Sequence, residues 1–331
     1  MDKILTISIA SYNVEKYLNT CLDSLVAAKN IDLLDIIVVD DGSKDLTSEI
    51  AQDYVRKYPN SVSLIKKENG GYGTTVNASL KKARGKYFKL LDADDWVMTE
   101  ELDKLVDLLK KIETDVVVSY YSKGSGESDS EIVDVKNVQL NKEYSIIDLN
   151  PIPTLGMWAL TYKTKVLKDS KLELPGRLFY TDQIFCTIPF SVAKTIVFVP
   201  YNIYFYRIGR DGQSVSRESR IKNIDNTLHI CTMLSEYIAQ NKYNSSYRFM
   251  LNRVCYYYIS ALKTILLQGI TSETIKQLKQ YERSVKKINN DVFEEAVYCG
   301  KFGKFLDLAR KTNYVTIFIL KLKKGGIPNW G

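Results

Sequence analysis

Four short apolar runs, at residues 4–10, 36–39, 62–65 and 87–91, are spaced through the first part of this chain, with helix-period stretches after them. Runs this short and rich in β-branched residues read as buried strands. After the first run, Leu18, Cys21, Leu22 and Leu25 share one helical face, and after the second Leu46, Ile50 and Tyr54 do the same. Alternation of this kind predicts βαβ units and a mainly parallel sheet flanked by helices. The expected class is α/β. Asn13 is expected to cap the first helix, with Glu15 in its first turn.

The fourth run feeds into Asp92-Ala93-Asp94-Asp95 and then Trp96. A strand ending in acids delivers negative charge to the carboxyl edge of a sheet, where open α/β folds bind ligands. Acids this crowded repel one another unless a cation or a row of donors compensates. A hard divalent ion serving a phosphorylated substrate would do so; an acidic turn before the helix after Thr99 is the other reading of this stretch alone. The second run also ends in acids, Asp40 and Asp41, and parallel geometry brings both pairs to one edge. That arrangement suits a nucleotide, with one acid accepting from base or ribose and the other holding a metal on the diphosphate. Tyr12, at the end of the first run, is placed to pack on a base. Asn69-Gly70-Gly71-Tyr72-Gly73 lacks the G-x-G-x-x-G order, and no G-x-x-x-x-G-K-[ST] occurs. Those glycines fit a turn ahead of a helix as well as close approach to a ligand.

Past this region, helical spacing covers 100–112, a strand is expected at 116–120, and the polar, Gly/Ser-rich 123–131 reads as an exposed loop. The chain is mixed to about 217 and helical beyond 218, which suggests segments 1–100, 101–217 and 218–331. Five scattered cysteines lack metal-ligand spacing and suit a reduced compartment. One histidine, His229, sits between Leu228 and Ile230 in a helical pattern and excludes a His-rich zinc site. No basic leader precedes an apolar core, and no apolar run reaches the ~20 residues that span a bilayer. A cytoplasmic protein is expected.

Ser8-Ile9-Ala10-Ser11-Tyr12-Asn13, Val39-Asp40-Asp41-Gly42-Ser43-Lys44-Asp45, Glu68-Asn69-Gly70-Gly71 and Leu91-Asp92-Ala93-Asp94-Asp95 occur in this order. In order and spacing they resemble the motifs of family 2 glycosyltransferases, closely over residues 4–100 and more weakly to about 217. The resemblance implies a GT-A fold and inverting transfer from a nucleotide sugar, here a UDP-hexose or UDP-N-acetylhexosamine. It implies that Asp41 and the Tyr12 segment, with Ala10 and Glu15, hold the uridine. Lys67, Gly71 and Asn77 would line the nucleotide sugar, and Asp92 with Ala93 would lie at ribose and diphosphate. Asp94 would bind Mn²⁺ or Mg²⁺. Ala10 stands where the family often has proline. Val76-Asn77 stands where Ala-Arg-Asn is common, so an arginine is missing, and Lys66, Lys67 or a later arginine is expected to replace it.

Inverting transfer needs a base for the acceptor hydroxyl. The family's acidic pair corresponds to Thr181-Asp182 after Pro175-Gly176, with Thr181 in place of Glu, so Asp182 is the expected base. Asp182 as a helix N-cap is compatible with that role. Trp96 and Trp158 are candidates for stacking on sugars and Arg207 for a phosphate; each fits a structural role equally well. The acceptor class implied is a lipid-linked or polymeric cell-surface glycan: capsule, exopolysaccharide or teichoic acid. The tail 301–324 interleaves seven cations with apolar residues, which fits peripheral contact with the inner face of the plasma membrane or an oligomer contact. No nucleic-acid motif accompanies these charges. A catalytically silent nucleotide-sugar-binding scaffold and a sugar nucleotidyltransferase are the rival readings.

Overall fold

In a computed structural model that describes residues 2–209 and 213–318, the chain packs as two units, Met1–Asp211 and Gly212–Gly331. The first opens with the expected alternation: β1 (Leu5–Ser11), α1 (Glu15–Val26), β2 (Leu34–Asp40), α2 (Thr47–Lys57), β3 (Val62–Lys66), α3 (Tyr72–Lys82) and β4 (Tyr87–Asp92). β1 runs parallel to both β2 and β4, and β2 parallel to β3. Every residue of β2 is buried, as are all of β1 but Ala10. Strands covered on both faces read as continuous apolar runs rather than alternating ones.

The pattern then changes. β5 (Trp96–Val97), α4 (Thr99–Leu109), β6 (Val116–Gly124), β7 (Ser130–Val133), β8 (Glu143–Ser145), β9 (Leu160–Lys163), α5 (Thr164–Asp169), α6 (Asp182–Phe185) and β10 (Thr195–Arg207) follow. The ten-stranded sheet has the order β3-β2-β1-β4-β9-β6-β10-β5, with β7 on β6 and β8 on β10. β9 inserts antiparallel between β4 and β6, while β10 runs parallel to β6. Parallel pairing still joins most of the paired residues, so the mainly parallel α/β expectation holds.

Two local expectations are corrected. Residues 123–131 are largely a hairpin: β6 reaches Gly124 and turns through Glu127–Asp129 into β7. A side chain at Gly124 would collide with the Asp129 carbonyl, so the glycine there serves backbone approach. Asn13 does not cap α1. It adopts φ 52°, and its Oδ1 accepts from the Lys44 N–H at 2.8 Å. The donors at the start of α1 go instead to the entry of α2, Val14 N–H to Thr47 Oγ1 and Glu15 N–H to Asp45 Oδ2. The side chain is of the capping type, but the tertiary partner won.

The second unit is helical, as expected: α7 (Arg217–Lys222), α8 (Ile224–Gln240), α9 (Tyr247–Leu267), α10 (Ser272–Ile288), α11 (Asn290–Glu295) and α12 (Gly300–Lys311). His229 lies on the exposed side of α8. All five cysteines are buried and unbridged. No helix among the described residues is long and apolar enough to cross a membrane. The part of the basic tail at 319–324 lies outside the described residues.

Candidate active site

Strand register settles where the acids meet. Ser11 pairs with Asp40, and Ala10 pairs with both Val39 and Asp92, so the acids of β2 and β4 flank β1 at its carboxyl end. The Asp41 N–H donates to the Ser11 carbonyl at 2.9 Å. Tyr12 follows with 49% of its surface exposed, free to cover a flat ring at that edge. Glu15 turns the other way: its carboxylate accepts the Leu46 N–H at 2.9 Å and so ties α1 to the loop before α2.

Asp41 is buried and organises the glycine loop. Its carboxylate accepts from Lys67 Nζ at 2.5 Å and from the Gly70 and Gly71 N–H groups at 2.9 and 2.8 Å. Lys67, a candidate replacement for the missing arginine, is thereby paired. The loop in turn receives a segment from a hundred residues on. The Arg177 N–H donates to the Gly70 carbonyl at 2.7 Å, and a Cβ on Gly71 (φ 85°) would sit 2.8 Å from the Arg177 nitrogen. A Cβ on Gly73 would strike the Pro175 carbonyl. Asn77 completes the dock, its Nδ2 donating to the Leu174 carbonyl at 2.8 Å and its Oδ1 accepting the Leu174 N–H at 2.9 Å. Asn77 thus braces the loop at 174–182.

That dock carries Asp182 toward the acid turn. Asp182 opens α6, with Gln183 Nε2 donating to its Oδ2 at 2.8 Å. Thr181 is buried before it, its hydroxyl without a hydrogen-bond partner among the described residues. Ile184 and Phe185 are buried behind it, while Phe179 is half exposed. Burial first, then the charges of Asp92 and Asp182, raises the Tyr72 hydroxyl well above its ordinary pKa. It remains a protonated donor between the expected base and the expected diphosphate site. It also reaches Met157 Sδ at 3.6 Å.

Asp92, Asp94 and Asp95 can bring one carboxylate oxygen each within 4.8 Å of the others. Asp95 is committed to the protein: Tyr204 O–H donates to its Oδ2 at 2.5 Å and the Arg207 N–H to its Oδ1 at 2.8 Å. Even so, burial first and then the charges of Asp92 and Asp94 push its carboxyl well above the usual carboxylate range. The Asp92 N–H donates to the same Tyr204 hydroxyl, and Ala93 is buried beneath the turn. The Arg207 guanidinium donates to the Asp94 carbonyl at 3.0 Å and lies 4.8 Å from the Trp96 ring and 5.3 Å from that of Tyr17. Trp96 stacks on Phe205 at 4.0 Å, and Trp158 on Tyr206 at 4.6 Å. Each tryptophan therefore has one face already covered by protein.

Residues 6–169 match the model of glycosyl transferase family 2. The chain belongs to that family. Among relatives of this glycosyltransferase, EpsH of Bacillus subtilis (strain 168) is 29% identical over 252 residues, covering 74% of this chain and 72% of that one. The poly(ribitol-phosphate) beta-glucosyltransferase of Bacillus spizizenii W23 is 30% identical over 215 residues, covering 64% of this chain. The match spans only 33% of that longer protein. Among solved structures, S. aureus TarS 1–349 in complex with UDP-GlcNAc superposes with a TM-score of 0.56 at 22% identity, covering 88% of this chain and 89% of that chain. The fold is GT-A.

Several residues packed around the candidate site of this glycosyltransferase gave little sequence signal. Tyr72 sat inside a glycine-rich turn, Tyr204 in a strand and Arg177 in a loop, with nothing local to link them to the acids. Lys89 is another. It precedes the acid turn in β4, is buried, and donates to the Trp158 and Leu160 carbonyls at 2.6 and 3.4 Å. Burial lowers its ammonium pKa from 10.5 to about 7. Between those values the unfolded chain binds more protons than the folded one, so stability rises with pH through that window. The urea midpoint of the wild type is expected to gain on that of Lys89→Met between about pH 7 and about pH 9. A constant gap between the two would show that Lys89 does not titrate on folding.

Proposed function

We propose that this glycosyltransferase moves a hexose or N-acetylhexosamine from a UDP-sugar to a polymeric or lipid-linked cell-surface glycan, with inversion at the anomeric carbon. The observation that carries the reading is the docking of residues 174–177 on the glycine loop that Asp41 folds, which brings Asp182 to the edge that bears the acid turn, so that the charges of Asp92 and Asp182 both act on Tyr72. The UDP-GlcNAc complex of TarS supports the donor class, and the poly(ribitol-phosphate) relative supports the acceptor class. Such a donor places the reaction in the cytoplasm.

In this reading the acceptor oxygen attacks the anomeric carbon opposite the diphosphate. Its proton passes to Asp182, and the electrons of the breaking C–O bond leave with UDP. Gln183, bonded to Asp182, fixes the orientation of the carboxylate. Tyr12 covers the base beside Ala10. Asp41 acts through the glycine loop it folds, whose Lys67 and Gly71 line the nucleotide, and Glu15 and Asn77 brace the walls. Arg177, exposed beside Gly71, stands in for the missing family arginine at the diphosphate. Arg207 and Trp96 border the acid turn where an acceptor phosphate or sugar would lie, and Thr181 and Trp158 line the acceptor side.

The acid turn fits a hard divalent cation. Its carboxylates converge within 4.8 Å, and burial, followed by the charges of Asp92 and Asp94, raises the pKa of Asp95. Asp94, with Asp92, would hold Mn²⁺ or Mg²⁺, while Asp95 positions the turn. When bound, the cation neutralises charge on the departing UDP. Calorimetry with UDP and a panel of UDP-sugars, in Mn²⁺ and in EDTA, tests the reading. Binding is expected to need the metal and to weaken by about tenfold or more in Asp94→Ala. No UDP binding under any metal condition would sink the UDP-sugar assignment.

A further inference from the structure

The chain's charge is divided unequally. Residues 1–211 hold 27 Lys and Arg against 30 Asp and Glu, whereas residues 212–331 hold 19 against 9. The net charge of +7 therefore comes wholly from the C-terminal unit. Within that unit α12 has two distinct sides. Phe302, Leu306 and Ala309 are buried against the other helices. Lys301, Lys304, Leu308 and Lys311, spaced three and four residues apart, are exposed on the other side.

Lys301 and Lys304 have no ion-pair partner among the described residues. Lys311 pairs with Asp307 at 2.6 Å, with both side chains open to solvent. Apolar groups stand among these cations. Leu308 is 50% exposed, Tyr298 just before α12 is 76% exposed, and Val315 and Phe318 just after it are 65% and 38% exposed. A soluble polyanion would be met by cations alone. Large aliphatic and aromatic side chains beside them recover transfer free energy only against an apolar medium.

We propose that this end of the C-terminal unit docks on an anionic lipid surface, with the lysines at the headgroups and Tyr298, Leu308, Val315 and Phe318 in the headgroup–acyl boundary. None of these residues is among those assigned to the donor, so the proposal does not rest on which sugar is transferred.

The test is co-sedimentation of the full chain with vesicles of equal parts phosphatidylglycerol and phosphatidylcholine, or of phosphatidylcholine alone. Binding is expected to the anionic vesicles only. Lys301→Gln with Lys304→Gln is expected to lower the partition coefficient roughly 30-fold, from two cations lost at the surface. Leu308→Ser with Val315→Ser is expected to lower it as well. Unchanged melting midpoints and UDP binding confirm that the variants are folded, and keep a failure here distinct from a failure of the donor-site reading. Equal binding to both vesicle types, or none to either, overturns the proposal. So does binding to soluble polyphosphate with the same lysine dependence while the serine variant binds vesicles like the parent, which would identify a polyanion site. A wild-type dimer on gel filtration that the serine variant abolishes would instead make this a self-contact.

Discussion

Asp182→Asn is expected to bind UDP-sugar as the parent does and to transfer sugar about a thousandfold more slowly. The amide cannot take the acceptor proton, and the Tyr72 hydroxyl, still held above its ordinary pKa by burial and by Asp92, stays protonated and does not replace it. The expected capping role is not the one Asp182 takes: Thr181 is the N-cap of α6, no side chain caps there, and Asp182 is the first helical residue, so α6 and the fold should survive the amide. Steady-state transfer rates, read beside calorimetric donor affinity and the melting midpoint, separate these effects. Transfer within a few-fold of the parent would move the base elsewhere, and equal loss of donor binding would place Asp182 in the donor pocket.

The second large effect is expected at Gly73. A methyl there would collide with the Pro175 carbonyl and lie 2.9 Å from Leu174 Cβ. Local helix propensity alone predicts the opposite of damage, since alanine within α3 would gain about 1 kcal/mol over glycine. Collision should dominate, because both obstacles belong to a segment held by Asn77 and by the Gly70 carbonyl. Gly73→Ala is expected to lower turnover about a hundredfold, as misplacement by about an ångström can. UDP affinity should fall far less, because Tyr12, Asp92 and Asp94 lie outside the collision. Gly126→Ala, where nothing lies within 4 Å of the added carbon, is the control. Equal turnover in the two variants would show that the dock does not position the base.

The sequence by itself determined the parallel half of the sheet, β1 to β4, and the edge on which its acids sit. Short, β-branched apolar runs read as buried strands, the stretches between them have helical period, and parallel strands ending in acids present them together. For that reason Asp40, Asp41, Asp92 and Asp94 could be placed before any coordinates, and ordered motifs could point to a family. The tertiary structure alone decided what the residues between the acids do. Gly71 and Gly73 admit the backbone at 174–177, and Asn77 spends its amide on Leu174, 97 residues away. Trp96 and Trp158 stack on neighbours from β10, while Asn13 leaves α1 to bind Lys44. Tyr72 reaches Met157, 85 residues away. Periodicity reports which face of an element is dry. It carries no information about which distant backbone that face will meet, and there the site was assembled.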